Sequence, residues 1–170
     1  MPHLLALSHS GVLDVNRGLY QAIARVSDVR VTLVVPAQWR GDLIEDLDFE
    51  PGPDDAGIRV VPLGVHRSGR GSLFVYRTTG ALKRLAREDA PDVVLIDEEP
   101  WSLAAAQATR AFHDVPLCFV TKENLRRRYP WPFRRLERRF LARTRMAFVT
   151  SEEAREVLTR SKAYGGPTAL

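Results

Sequence analysis

The stretch Val93-Val94-Leu95-Ile96-Asp97-Glu98-Glu99-Pro100-Trp101-Ser102 decides the reading of this chain. Its first four residues are all apolar, so the strand they predict has no solvent-facing side and needs cover on both faces. Three carboxylates and a proline follow directly. Shorter versions of the same plan lie on either side. Leu4-Leu5-Ala6-Leu7, Val31-Thr32-Leu33-Val34-Val35 ahead of Pro36, Ile58 to Leu63, Leu117-Cys118-Phe119-Val120 and Met146 to Val149 are further apolar runs. Between them, apolar residues recur at helical spacing. These sets are Leu19, Ala22, Ile23 and Val26; Phe74, Ala81, Leu82 and Leu85; Ala104, Ala108, Ala111 and Phe112; Phe133, Leu136, Phe140 and Leu141; and Ala154, Val157 and Leu158. Gly80 weakens the second of these helices. Thr150 and Glu153 are spaced as a capping box for the last one, and Gly165-Gly166-Pro167 stops it. Such alternation predicts an α/β fold: a Rossmann-like, doubly wound, mostly parallel sheet with helices on both faces. Residues 36–57, acidic and carrying Pro51-Gly52-Pro53-Asp54-Asp55, read as a surface excursion. Residues 64–72, with three glycines, read as a flexible loop.

With 170 residues, 45% hydrophobic and 27% charged, the chain has the size and composition of one globular domain. No apolar run approaches the roughly 20 residues that span a bilayer. Met1-Pro2-His3-Leu4-Leu5 lacks the basic start of a secretory signal. A single cysteine, Cys118, leaves no internal disulfide and no cysteine-rich zinc site, so a reducing cytoplasm is the expected compartment. The net charge is +4, but residues 122–145 hold ten Lys or Arg against two acids. A basic stripe on an otherwise mildly acidic body points to an anionic partner for one face.

Ligands of open parallel sheets gather beyond the carboxyl ends of the strands, here the loops 8–17, 97–102, 121–130 and 150–152. The first, Ser8-His9-Ser10-Gly11-Val12-Leu13-Asp14-Val15-Asn16-Arg17-Gly18, is neither GxGxxG nor a Walker A loop. Gly11 would let backbone approach a ligand, and Asn16-Arg17 open a helix whose positive end suits an anion; a plain turn capped by Asn16 explains the same residues. In the second loop, the clustered Asp97, Glu98 and Glu99 repel one another unless cations, hydroxyls or amides face them, which favours a functional reading. Trp101 reads as packing. In the third, Lys122, Glu123 and Asn124 in series suit a polyol or a phosphate, with Asn124 as a helix cap the plainer account. His9 and His113 stand alone, without a partner at metal spacing, and no metal site is expected.

The basic stretch places Arg126, Arg127, Arg128, Arg134 and Arg135 beside Trp131 and Phe133. A solvated polar face of an amphipathic helix is the plain reading. Contact with anionic lipid headgroups, Trp131 near the interface, is the sharper one. Nucleic acid is not expected, because no recognition fold accompanies the stripe.

Taken in order, these segments resemble the N-terminal half of GT-B fold glycosyltransferases, specifically glycosyltransferase family 4. Leu4 to Arg17 is similar to the first strand and glycine-containing loop of that domain. Val93 to Pro100 is similar to its strand and His-Glu-Pro type turn, with Glu98 where histidine is frequent. Leu117 to Asn124 resembles the strand whose end often carries a histidine, here Glu123. Phe133 to Leu158, with Phe148-Val149-Thr150-Ser151-Glu152-Glu153-Ala154, is similar to the helix, strand and serine-containing segment before the domain linker.

The resemblance implies retaining hexosyl transfer from a nucleotide sugar, a co-substrate rather than a cofactor, with no obligatory metal. It implies that residues 1–170 are one acceptor-side domain, that the donor-binding C-terminal domain is absent, and that the chain alone is inactive. It implies a sugar or lipid-linked acceptor, with Glu99 and Glu123 in catalytic places. Asn16, Arg17, Glu98, Trp101, Lys122 and Asn124 would bind acceptor, and Gly11 and Arg17 would face the diphosphate. A cytoplasmic enzyme, peripheral on the inner membrane face, would use the arginines as its contact, and the uncovered interdomain face would self-associate. A non-catalytic α/β module docking on anionic membranes through 126–143 is the rival reading. A receiver-type module is disfavoured, since Ser8-His9 stand where it needs an acidic pair.

Overall fold

The computed structural model describes residues 1–41 and 46–170. The chain begins with β1 (His3–Ser8) and two short 3-10 turns, Ser10–Val12 and Asp14–Arg17. It continues through α1 (Gly18–Val26), β2 (Arg30–Pro36), β3 (Gln38–Trp39), β4 (Leu47–Asp48), β5 (Arg59–Leu63), β6 (Val65–His66) and β7 (Val75–Tyr76). Then follow α2 (Thr79–Asp89), β8 (Val93–Asp97), α3 (Leu103–Ala111), β9 (Leu117–Thr121), α4 (Trp131–Arg143), β10 (Thr144–Val149), α5 (Glu152–Glu156) with a π-type turn Val157–Ser161, and β11 (Thr168–Ala169). Seven strands form one parallel sheet in the order β11-β10-β9-β8-β1-β2-β5, which is the expected Rossmann-like α/β architecture.

The continuous apolar runs have the cause the sequence suggested. Leu5 and Leu7 of β1, Val94 and Ile96 of β8 and Phe119 of β9 turn into one core, with residues of α2, α3, α4 and α5. Ala6, Leu33, Val35 and Leu95, one residue out of phase, turn into a second core with Tyr20 of α1. The second layer is thin: among the described residues α1 is the one helix in it, and Phe148 of β10 is 38% exposed on the sheet. On α1 itself the inward residues are Tyr20, Gln21, Ile23 and Ala24, while Leu19 and Val26 of the expected face point to solvent. The buried face of the helix is thus offset by about one residue from the expected one, directly after the two 3-10 turns.

Other expectations shift locally. Ser151, not Thr150, caps α5, its hydroxyl accepting from the Ala154 amide at 3.2 Å. β11 forms beyond Gly165-Gly166-Pro167, pairing with β10. The 64–72 loop is held: Val65 and His66 pair with Tyr76 and Val75, Val65 and Phe74 are buried, and Gly69 is required at φ +79° because a Cβ would lie 2.2 Å from the Arg40 carbonyl oxygen. The 36–57 excursion carries the β3–β4 hairpin and lays Trp39 against the core; its residues 42–45 lie outside the described residues.

That excursion is fastened by Arg17, which is fully buried. Its Nε donates to the Gly11 carbonyl at 2.8 Å, and Nη2 donates to the carbonyls of Val12 (3.0 Å) and Glu50 (2.9 Å). Nη1 meets Asp55 at 2.5 Å, and the guanidinium lies 4.8 Å from the Phe49 ring centre. Gly11 is equally structural: a Cβ there would stand 2.9 Å from Val35 Cγ1, so glycine lets the turn close onto β2. The expectation that Gly11 and Arg17 face a diphosphate is corrected by this packing, since both are buried and the guanidinium is already bonded on four sides. Replacing Arg17 by Met should cost about 3 kcal/mol in denaturant titration, because it removes the cation facing Asp55 and the side-chain donor of three carbonyls. Asn16→Ala, at an exposed side chain of the same turn, should change stability by no more than about 0.5 kcal/mol.

Candidate functional site

The sheet order places β1 between β2 and β8, so successive crossovers leave β1 in opposite directions and open a crevice at its carboxyl end. The last paired residues there are Ser8 and Asp97. Everything just beyond them converges. The cleft that results has a volume of about 280 Å³, and its walls include His9, Asp97, Glu98, Glu99, Trp101 and Lys122, with Gly71 and Ser72 from the opposite loop.

Each of the three carboxylates is met by specific donors, which is how the fold tolerates them side by side. Asp97 accepts from the Ser8 hydroxyl at 2.9 Å and the Tyr20 hydroxyl at 3.2 Å, and Lys122 Nζ lies 3.4 Å away. Glu98, 5% exposed, accepts from the His9 amide at 2.7 Å and faces His9 Nδ1 at 2.8 Å. Burial pushes the Glu98 carboxyl up, against the opposing pull of the His9 bonds. Burial also opposes charge on the His9 ring, but the hydrogen bond and charge of Glu98, with Asp97, outweigh it and raise the imidazole above its ordinary value. That ring is held in place by stacking on Trp39, 5.1 Å between centres, and by Phe74 at 5.7 Å.

Glu99 accepts from the Thr121 hydroxyl at 2.8 Å and from the Lys122 amide at 2.9 Å. Burial pushes its carboxyl up more than these bonds pull it down. Two donors leave part of its acceptor capacity directed at the cleft. Trp101 does pack, as expected: it stacks on Tyr129 at 4.2 Å and meets Phe133 edge-on at 6.1 Å. It also walls the cleft, so the two readings of this residue are not exclusive.

A second recess of about 240 Å³ shares Glu99, Trp101 and Lys122 with the cleft and adds Glu123, Asn124, Leu125, Arg127 and Tyr129. Glu123 is engaged on both oxygens, by the Tyr129 hydroxyl and by Lys162 Nζ, each at 2.5 Å. Lys162 also bonds buried Glu137. Thus Glu98, Glu99, Trp101, Lys122, Glu123 and Asn124 are brought together, whereas Arg17 and Gly11 are buried in the fold. Asn16 is exposed and spends its amide on the Ser10 carbonyl at 2.9 Å. Sequence reasoning gave His9 little weight and missed Trp39, Tyr129 and Lys162. The carboxylate run was the one local sign that such donors had to exist. Among the described residues no cluster of three or more His, Cys, Asp or Glu side chains is arranged for a metal ion. No helix there is long and apolar enough to cross a membrane.

Of the arginines expected as an anion contact, Arg126, Arg127, Arg128 and Arg134 line a third, open groove that shares Arg127 and Tyr129 with the recess. Arg135 lies instead over Trp131, 5.7 Å from the ring centre, and Trp131 is 63% exposed.

No curated protein sequence matches this chain. Among solved structures, sucrose-phosphate synthase from Thermosynechococcus elongatus is similar over 100% of this chain and 47% of its own, at 14% identity and a TM-score of 0.69. MurG from Acinetobacter baumannii is aligned over 88% of this chain and 41% of its own, at 11% identity and a TM-score of 0.47. The chain therefore spans less than half the length of these structures, and its likeness to the synthase is one of fold. The sequence profile described as glycosyl transferase 4-like domain runs over residues 10–169, from the turn after β1 to the last strand, and the chain belongs to that family.

Proposed function

We propose that the chain is the acceptor-binding, N-terminal half of a retaining glycosyltransferase that moves a hexosyl group from a nucleotide sugar. The observation that carries this reading is Glu99, set at the strand switch beside the fully partnered Asp97 and Glu98, with two donors of its own and its carboxylate on the cleft wall. Sugar hydroxyls are the donors such a site lacks. A hydroxyl approaching Glu99 finds a carboxylate with acceptor capacity to spare and a pKa raised toward that of a useful base. Trp101 offers an apolar wall for the ring carbons. Asn124 and Lys122 sit at the shared recess, where they can bond further hydroxyls.

Roles divide by what each group touches. Glu99 is the residue nearest to chemistry. Glu98 and His9 form a rigid pair that fixes the turn after β1 and shapes the floor. Glu123, held by Tyr129 and Lys162, positions the 121–130 loop rather than meeting substrate directly. Lys122, 61% exposed on its side chain, is the cation at the mouth and the group placed to meet a diphosphate leaving group, the task the buried Arg17 cannot take. The nucleotide sugar is a co-substrate held mainly by a second, donor-binding half, and transfer occurs in the cleft between the halves with no obligatory metal. The chain alone lacks half of the transition-state contacts and is inactive in this reading. A cytoplasmic enzyme, peripheral on the membrane, is consistent with it.

Incubated with a panel of nucleotide sugars and sugar or lipid-linked acceptors, the chain alone should release no nucleotide above background, and adding its donor-binding half should start release. Silence in the presence of both halves would favour a non-catalytic binding module instead. In the active form, Glu99→Gln should lower kcat by at least about a hundredfold while moving the melting temperature by no more than about 3 °C. Activity near the wild-type level would remove Glu99 from the chemistry. Because burial raises the Glu99 carboxyl, the acidic limb of the kcat profile should fall at a higher pH than an ordinary glutamate, about 4.3, would give. That limb should disappear from the residual activity of Glu99→Gln.

A further inference from the structure

The cleft leaves the densest charge of the molecule unused. Arg126, Arg127, Arg128, Arg134 and Arg138 line one groove of about 680 Å³, between the 126–138 segment and the turn after α5. All five are exposed. None is paired with a carboxylate among the described residues, where Arg17, Arg40, Arg59, Arg155 and Arg160 all are. The carboxylate in the groove wall, Glu137, is buried and bonded to Lys162, which also holds Glu123. Neither acid is free to neutralise the arginines. Guanidiniums gathered in a concavity raise each other's energy, and a multiply charged anion with several oxygens relieves this best, since each fork can bond two of them.

A second observation ties the groove to the cleft. Arg127 and Tyr129 line both the groove and the 240 Å³ recess, and Glu99, Trp101 and Lys122 line both that recess and the cleft. The carboxylate-lined cleft, which suits hydroxyls, and the arginine-lined groove, which suits phosphate, are therefore neighbours, with the recess between them. The exposed Trp131, which a membrane contact would use, lies against Arg135 and outside the groove wall.

We propose that the acceptor carries a phosphate or diphosphate group, and that the groove of Arg126, Arg127, Arg128, Arg134 and Arg138 binds it while its hydroxyls reach Glu99. The acceptor part of this rests on the cleft being the sugar site; the anion site stands on the groove alone.

The test is calorimetric titration of the protein with inorganic pyrophosphate, beside sedimentation with vesicles of phosphatidylcholine alone or mixed with phosphatidylglycerol. Pyrophosphate should bind saturably, more weakly at high salt. Binding should weaken by at least about tenfold in Arg127→Gln/Arg134→Gln/Arg138→Gln. These side chains are exposed, so the variant should keep its circular dichroism spectrum. Trp131→Ala, outside the groove wall, should bind pyrophosphate as the parent does. No saturable binding, or equal binding by the triple variant, overturns the groove. Sedimentation with phosphatidylglycerol vesicles without any pyrophosphate binding overturns it in favour of a membrane surface. If pyrophosphate binds as expected but Glu99→Gln leaves transfer intact, the cleft reading fails and the acceptor part of the proposal fails with it. If Glu99→Gln abolishes transfer but pyrophosphate does not bind, the cleft stands and the groove falls.

Discussion

Ser8 donates to Asp97 across the last rung of the β1–β8 pairing, and the functional end of the molecule is organised around that rung. β1 is the strand from which the sheet grows both ways, so no connection can cover its carboxyl end. The chain places three consecutive acids at that opening. They can coexist only because neighbouring strands deliver donors at the same height: Ser8 and the His9 amide from β1, Thr121 and the Lys122 amide from β9. Parallel registry is what makes this work, since equivalent ends of parallel strands lie side by side. Shift β9 by one residue and Thr121 would no longer face Glu99.

Two uses of arginine illustrate how burial selects a role. Arg17 is enclosed: two of its bonds close the turn after β1 on Gly11 and Val12, and two fasten that turn to Glu50 and Asp55 of the 36–57 excursion, which in turn presents Trp39 to His9. Its charge is consumed in holding the wall of the cleft. Arg126, Arg127, Arg128, Arg134 and Arg138 line an open groove with no carboxylate partner among the described residues, and their charge remains available to a ligand. Lys162 lies between these extremes: delivered by the π-type turn, it locks Glu123 and Glu137 together and rests 5.2 Å from the Tyr129 ring. It thereby removes from the arginines the acids that could have satisfied them, and it fixes the loop that joins groove to cleft.

The carboxylate run 97–99 and the 121–124 loop were legible as a site because the strand-end rule selects loops before any motif is considered. Asn16, Arg17 and Gly11 obeyed the same rule and still fell outside the cleft. The two 3-10 turns after β1 fold that loop back over β2, where Gly11 meets Val35 and Arg17 meets Asp55. Nothing in the local pattern of residues 8–18 announces the turn. The β3–β4 and β6–β7 hairpins were equally hidden, being two residues per strand in stretches rich in glycine, proline and charge.

The sequence by itself determined the α/β alternation, the parallel sheet and the strand ends at which ligands gather. Those follow from periodicity and side-chain shape, which act over a few residues. Only the tertiary structure decided which charge meets which. His9 and Glu98 are 89 residues apart, Arg17 and Asp55 are 38 apart, and Lys162 and Glu123 are 39 apart. Coulomb attraction and hydrogen bonding depend on separation in space, and a charge's availability depends on its burial. Neither quantity exists until the sheet is assembled, so the division between locked and free ions, and with it the shape of the site, belongs to the fold.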